Sequence, residues 1–224
     1  MAALKRAHGS SREFIVAALR ADIIEGRLAP GTPLRTEVVM ERFGVSNSPL
    51  REAFAQLAAE GLIEVQPNRG AIVARLTHDS AADLLSVGAL LWETVYLWAL
   101  RRLTAGDVSA LKRIGVDFDL AYESGDSSSA LLESERFDEA LLGACGSPEL
   151  GRAVNSVLPR LRRLVRRLAN DSVLDARADL HAAALAFIEG DRGEISYDAL
   201  NAYWGALEQS LNGIPELEPE LEPA

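Results

Sequence analysis

From residue 79 to about residue 212, apolar side chains recur every three or four positions, and the pattern stops only at "TAGD", "SGDSS", "CGSPE", "NDS" and "EGDRGE". That spacing lines one face of a helix, whereas strands alternate every two residues. Helices are expected near 79–103, 105–123, 128–145, 148–170, 172–189 and 192–212. Six helices joined by such short breaks must fold back on each other as an antiparallel bundle with an internal cavity. A hydrophobic content of 48% is ample for its core.

The residues ahead of the bundle read differently. From Ser11 to Glu25, Phe14, Ile15, Ala18, Leu19, Ile23 and Ile24 recur at helical spacing, with Ser10 or Ser11 available as a cap and Gly26 as a stop. The loop "GRLAPGTPL" follows, in which Pro33 excludes helix. Thr36 is expected to cap a short helix that buries Val39, Met40 and Phe43 and closes at Gly44. In "FGVSNSPLREAFAQLAAEGLIEV", Ser48 is read as the next cap and Pro49 as the first helical residue, where its missing N–H costs nothing. Leu50, Ala53, Phe54 and Leu57 face inward; Asn47, Ser48, Arg51, Glu52 and Gln56 fall on the entry and the outer side. After Gly61, "LIEVQPNRGAIVARL" places two β-branched runs around a Pro-Asn-Arg-Gly tip, a hairpin signal.

Helix, short helix, tight turn, helix, hairpin is the order of a winged helix-turn-helix. A helix presented by a tight turn fits the major groove, its first residues reach base edges, and its N–H groups favour phosphate. Arg51, one turn in, is placed for a base or a phosphate, and Arg69 beside Gly70 stands at the wing. The same fold also serves as a protein-binding module.

The formal net charge of −10 is unevenly spread. Residues 1–77 carry ten Lys and Arg against eight Asp and Glu, a net +2, so the remainder holds −12. The two halves are expected to face different partners. The single cysteine, Cys145, cannot form an internal disulfide and sits at an apolar helical position, which suits packing in a reducing cytoplasm. No segment reads as a leader, and the most apolar stretch is interrupted at Glu93, so no membrane partner is expected.

The run "IIEGRLAPGTPLRTEVVMERFGVSNSPLREAFAQLAAEGLIEVQPNRGAIVARL" strongly resembles the DNA-binding domain of GntR-family bacterial transcription regulators. It carries the I-x-x-G-x-L-x-P-G-x-x-L entry, the F-G-V-S-x-x-P-L-R-E-A recognition element, the L-x-x-E-G-L-I helix end and the P-x-R-G-A-x-V wing. The resemblance puts Arg35, Ser46, Asn47, Ser48, Arg51, Arg69 and Gly70 against DNA. Arginine is usual in the family where this chain has Asn47, so an altered operator preference is expected.

"ERFDEALLGACGSPEL" and "LHAAALAFIEGD" make the second half similar to the effector-binding domain of the FadR-like (FCD) branch. Many members of that branch hold a divalent metal through an aspartate, a histidine four residues on, and two later histidines. Here those positions fall on Ser134, Asp138, His181 and Ala202-Tyr203. The set is incomplete, so no metal or other cofactor is expected; Asp138 and His181 are the positions that would hold one. Where members commonly carry arginine and glutamate on the first bundle helix, this chain has Gly88 and Trp92, which makes the pocket more apolar. Trp92, Tyr96, Trp98, Tyr203 and Trp204 supply aromatic surface, each also suited to core packing. "PRLRRLVRRLAN" sets Arg160, Arg163 and Arg167 on one face with Arg162 and Arg166 nearby, either a solvated or dimer-facing stripe or, through Arg163, an anchor for an anionic effector.

The expected protein is therefore mainly α. A winged helix-turn-helix of three helices plus a β-hairpin spans 1–77, an all-α antiparallel bundle for effector binding and dimerisation spans 78–213, and an acidic, proline-rich tail at 214–224 is expected to be disordered. Trp92, Asp138, Arg163, His181 and Tyr203 are the effector candidates. The function expected is a cytoplasmic, homodimeric regulator, a repressor by the family's habit, that binds double-stranded operator DNA and answers to a small organic acid or other metabolite. A winged-helix protein scaffold is the alternative. A metal-dependent enzyme is a weaker one, because no phosphate loop or nucleophile-base set is present.

Overall fold

The computed structural model describes residues 11–66, 70–190, 197–215 and 217. Its chain divides into two compact units: Met1–Ser80 with Ser156–Leu164 and Glu216–Ala224, and Ala81–Asn155 with Val165–Pro215.

In the first unit, α1 (Ser11–Ile24) and α2 (Thr36–Phe43) pack on α3 (Asn47–Ala59). A small antiparallel sheet, in the order β1-β3-β2, consists of β1 (Pro33–Leu34), β2 (Ile63–Gln66) and β3 (Gly70–Val73). One apolar core joins them, with Ile15, Leu19, Leu50, Ala53, Leu57, Leu62 and Val73 fully buried. The helix period is the cause for Ile15, Leu19, Leu50, Ala53 and Leu57, each on the face its helix turns inward, while Val73 points inward from β3. Phe14 departs from the expectation, being half exposed with its ring edge-on to Phe43. Met40 and Phe43 are only partly buried against the core.

Three local readings change. The helix α2 starts at Thr36, so Arg35 rather than Thr36 is its cap, and no side chain closes that end. The helix α3 begins at Asn47 with Ser46 as its cap, again without a side-chain bond. Pro49 is thus the third helical residue rather than the first; its absent N–H is one of the four that have no intrahelical partner in either register, so the shift costs nothing. The "GRLAPGTPL" loop contains β1, whose two residues pair with Ile72 and Ala71 of β3. Gly44, in the left-handed region at φ 62°, makes the turn between α2 and α3, with the N–H of Val45 donating to the carbonyl of Met40.

The second unit is built from α4 (His78–Ala99), α5 (Ala105–Glu123), α6 (Ser127–Ala144), α7 (Pro148–Leu168), α8 (Asp171–Glu189) and α9 (Tyr197–Asn212), the start of α4 and the middle of α7 being assigned to the first unit. The first four breaks in the periodicity each supply a helix N-cap. Thr104 and Asp107 form a capping box, Asp126 accepts from the N–H of Ser129, Ser147 from that of Leu150 ahead of Pro148, and Asn170 from that of Val173. The helix α5 packs along α6 and α8, and α8 along α9. Gly115 permits the close approach of α5 and α8, since a Cβ there would lie 2.8 Å from Leu185 Cδ1. Cys145 is fully buried and its Sγ donates to the carbonyl of Val95, the packing role expected.

The expected residues 192–196 of the last helix, and most of the acidic tail, lie outside the described residues. Leu217 is described and is buried, so the tail is not solvated throughout. Among the described residues no helix is long and apolar enough to cross a membrane.

Candidate functional site

Two groups of side chains stand out. The first is at the exposed N-terminus of α3, where Ser46, Asn47, Ser48 and Arg51 all face solvent, as does Arg35 at the start of α2. Three other arginines of this unit are held in ion pairs. Arg20 grips Glu60 with two bonds, 2.8 and 2.5 Å, while Arg27 and Arg42 clasp the two oxygens of Asp22 at 2.7 and 2.6 Å. Burial pushes the Asp22 carboxyl up, but the two guanidiniums outweigh it and hold the group below the usual carboxylate range. Arg35 and Arg51 make no ion pair among the described residues. Arg51 is therefore a free cation one turn into an exposed helix end, an arrangement that attracts phosphate and can reach base edges, and Arg35 is a second at the start of α2.

Arg69, the expected wing-tip contact, lies outside the described residues. Gly70 is set by packing: at φ 93°, a Cβ there would stand 2.3 Å from the carbonyl oxygen of Leu34. Only glycine lets β3 pass β1 this closely.

The second group is a buried polar cluster in the helical unit, and its centre is a residue the sequence reading overlooked. Arg177 on α8 is 3% exposed. Its Nη2 meets the Asp138 carboxylate of α6 at 2.5 Å and donates to the backbone carbonyl of Ser134 at 3.2 Å. Its guanidinium lies over the Tyr203 ring of α9, 4.9 Å from the centroid. Burial works against the charge on Arg177, yet Asp138 and the two tyrosines raise its pKa further. One turn on, His181 is stacked on Phe137 at 4.2 Å and meets the edge of Phe118 at 4.5 Å. Burial, and then the nearby Arg177, hold its pKa well below 6.5, so the imidazole is neutral. Burial likewise pushes Tyr203 up to about 12 and raises Tyr96.

The expected residues Asp138, His181 and Tyr203 are thus brought together. Trp92 is buried on α4, one turn before Tyr96. Arg163 is not among them: it belongs to the first unit, where it is 7% exposed and donates to the carbonyl of Ala74 at 2.6 Å. The arginine stripe of α7 is not a solvated face either, since only Arg167 is exposed and Arg166 pairs with Glu135 at 2.7 Å. An open depression of about 440 Å³ lined by Arg167, Asn170, Gln209 and Ser210 contains none of the cluster. The one signal that could have found Arg177 is its spacing: it precedes His181 by four residues and so shares its helix face.

A divalent ion does not fit this cluster. Among the described residues no group of three or more His, Cys, Asp or Glu side chains could hold one. The cluster's own cation, Arg177, is already bound to the carboxylate the ion would need.

Taken together, the turn at Gly44, the free end of α3 and the three-stranded wing define a winged helix-turn-helix DNA-binding regulator with a helical second unit. Residues 11–73 match the gntR family of bacterial regulatory proteins, residues 83–206 match the FCD domain, and the chain belongs to the FadR-like, FCD-bearing branch of the GntR family. Over 213 residues it is 26% identical to a Paenarthrobacter nicotinovorans protein named "Probable D-xylose utilization operon transcriptional repressor", covering 91% of this chain and 89% of that one. Over 59 residues it is 49% identical to the HTH-type transcriptional repressor RspR of Escherichia coli K12, covering 26% of each. A GntR regulator structure from Rhodococcus sp. RHA1 shares the fold at a TM-score of 0.70 and 20% identity, covering 92% of this chain and all of that one. The protein is a DNA-binding transcription regulator; its family consists of regulators rather than enzymes.

Proposed function

We propose that this regulator is a homodimeric repressor, that Arg35, Ser46, Asn47, Ser48, Arg51, Arg69 and Gly70 form its operator-reading surface, and that a small acidic metabolite held in the helical unit modulates it. The observation that carries the DNA part is that Arg51, one turn into the open end of α3, and Arg35, at the start of α2, are exposed and make no ion pair among the described residues, in a unit where Arg20, Arg27 and Arg42 are held in ion pairs with Glu60 and Asp22. A two-fold dimer presents two such helices to two half-sites of an inverted repeat. The names of the Paenarthrobacter and Escherichia relatives favour repression.

The effector part rests on the buried cluster. Tyr96 Oη, Trp204 Nε1, Arg177 Nε and both ring nitrogens of His181 are buried with no hydrogen-bond partner among the described residues. Four of these five atoms can donate, because neutral His181 contributes one N–H and one acceptor nitrogen. A donor-rich, cation-centred interior suits an oxygen-rich, negatively charged ligand. Such a ligand shifts operator affinity only insofar as it prefers one arrangement of the dimer.

A mobility-shift titration on the promoter beside its own gene, at two salt concentrations and with a panel of organic acids, tests the reading. Sequence-selective binding that weakens with salt and is altered by one acid is the expected result. Equal binding to unrelated DNA would refute the operator role. Replacing Asn47 by Arg is expected to change the base preference within each half-site while leaving overall affinity for mixed DNA similar.

A further inference from the structure

The positions at which the resemblance puts metal ligands, Ser134, Asp138, His181 and, of the Ala202-Tyr203 pair, the buried Tyr203, converge in this chain on one side chain. Arg177 has the Asp138 carboxylate as its ion-pair partner at 2.5 Å, bonds the backbone carbonyl of Ser134, lies against the ring of Tyr203, and stands one turn before His181 on the same face of α8. Three of the four positions thus touch the same positive centre, and the fourth lies one helical turn from it. Two of them, Ser134 and Tyr203, carry side chains that are poor ligands for a divalent ion at neutral pH, while the Tyr203 ring face suits a guanidinium and the backbone carbonyl at Ser134 accepts a bond from it.

We infer that Arg177 takes the place of the divalent ion: the domain carries a covalently tethered cation where many members of the branch hold an exchangeable one. The substitution is chemically coherent. A guanidinium cannot lose its proton in the accessible pH range and cannot be stripped by a chelator, whereas metal binding depends on both. It also explains why losing two ligands left an orderly interior. Asp138 has a cationic partner, and the His181 ring is packed against Phe118 and Phe137. A divalent ion entering this site would face a fixed positive charge at contact range, so the two cations exclude each other.

The inference holds whether or not an acid proves to be the effector, and its test reads metal rather than DNA. The protein purified without chelator is expected to contain no stoichiometric zinc, nickel or manganese, and its melting temperature is expected to be the same with EDTA or with added zinc. Stoichiometric metal that disappears in His181→Ala would overturn the assignment. A second arm installs the missing ligands. The double variant Ser134→Asp with Tyr203→His is compared with the triple variant that adds Arg177→Ala, zinc binding being read by equilibrium dialysis and folding by circular dichroism. Zinc is expected to bind the triple variant at one equivalent, roughly 100-fold tighter than the double variant, because only there is the like charge removed. Equal zinc affinity in the two folded variants would show that Arg177 does not occupy the ion's place. Absence of zinc from a folded triple variant would show that the four positions do not share a centre.

Discussion

Replacing Asp138 by Asn is expected to be among the most damaging conservative changes in the helical unit. The side chain of Arg177 is 4% exposed and that of Asp138 19%, with 2.5 Å between them. Without the carboxylate, the guanidinium remains buried and charged, since nothing in its surroundings can deprotonate it. Removing one partner of a buried pair costs about 3–5 kcal/mol. The residual exposure of Asp138 and the surviving contacts to Ser134 and Tyr203 place this case at the low end, about 3 kcal/mol. For a chain of this length that corresponds to a fall in melting temperature of roughly 6–12 °C. All three tryptophans, Trp92, Trp98 and Trp204, lie in the helical unit, so fluorescence-detected urea unfolding follows that unit directly. The companion variant replaces both partners, Arg177→Met with Asp138→Leu, and is expected to come within about 1 kcal/mol of the wild type because no buried charge is left. If Asp138→Asn lost less than about 1 kcal/mol, or if the double variant lost as much as the single one, the pair would not be sealed from water and the account of the cluster would fail.

Three further outcomes follow from the same structure. His181 has a folded-state pKa depressed below 6.5 by burial and by Arg177, so below that pH the unfolded chain takes up a proton that the folded one refuses. Its contribution to stability is therefore present above pH 6.5 and lost as pH falls, at roughly 1.4 kcal/mol per pH unit. Urea unfolding of wild type and His181→Gln between pH 7 and 5.5 should show this slope only in the wild type, and parallel curves would contradict it. Arg51→Ala should leave the melting temperature within about 2 °C while weakening operator binding by about 1–3 kcal/mol if it reads a base, or lowering the salt slope by about one if it meets a phosphate. Gly70→Ala forces a Cβ to 2.3 Å from the Leu34 carbonyl at φ 93°. A loss of about 2 kcal/mol in thermal unfolding of the winged unit is expected, and an unchanged midpoint would mean β1 is not held where described.

Helix limits were readable wherever a chemical cap marked them. The sequence reading of 105–123 coincides with α5, because Thr104 and Asp107 form a reciprocal box that no other register satisfies. The start of α3 was missed by two residues because Ser46 and Ser48 are equally plausible caps and Pro49 is tolerated anywhere in the first turn. The strand β1 could not be read at all: two residues carry no periodicity, and their pairing with Ala71 and Ile72 is set by the sheet rather than by Pro33-Leu34 themselves. At the DNA-facing end the exposed residues were legible from the helix period, but which arginines were free was not, since the partners of Arg20 and Arg42 lie 40 and 20 residues away. The buried cluster shows the same limit. Asp138, His181 and Tyr203 could be placed by resemblance, whereas "DARADLHAAAL" reads as a mixed charged face until α6 and α9 are seen to close over Arg177.

The internal use of Arg20, Arg27 and Arg42 bears on how this protein travels through a genome. Non-specific hold on bulk DNA scales with the number of cations that can release counterions from phosphate. A winged unit that ties three arginines to Glu60 and Asp22 is expected to grip random sequence more loosely, and so to leave a larger share of molecules free to sample new sites. Discrimination then depends less on raw adhesion than on the few residues at the end of α3, and a modest number of copies suffices to keep one operator occupied among many decoys.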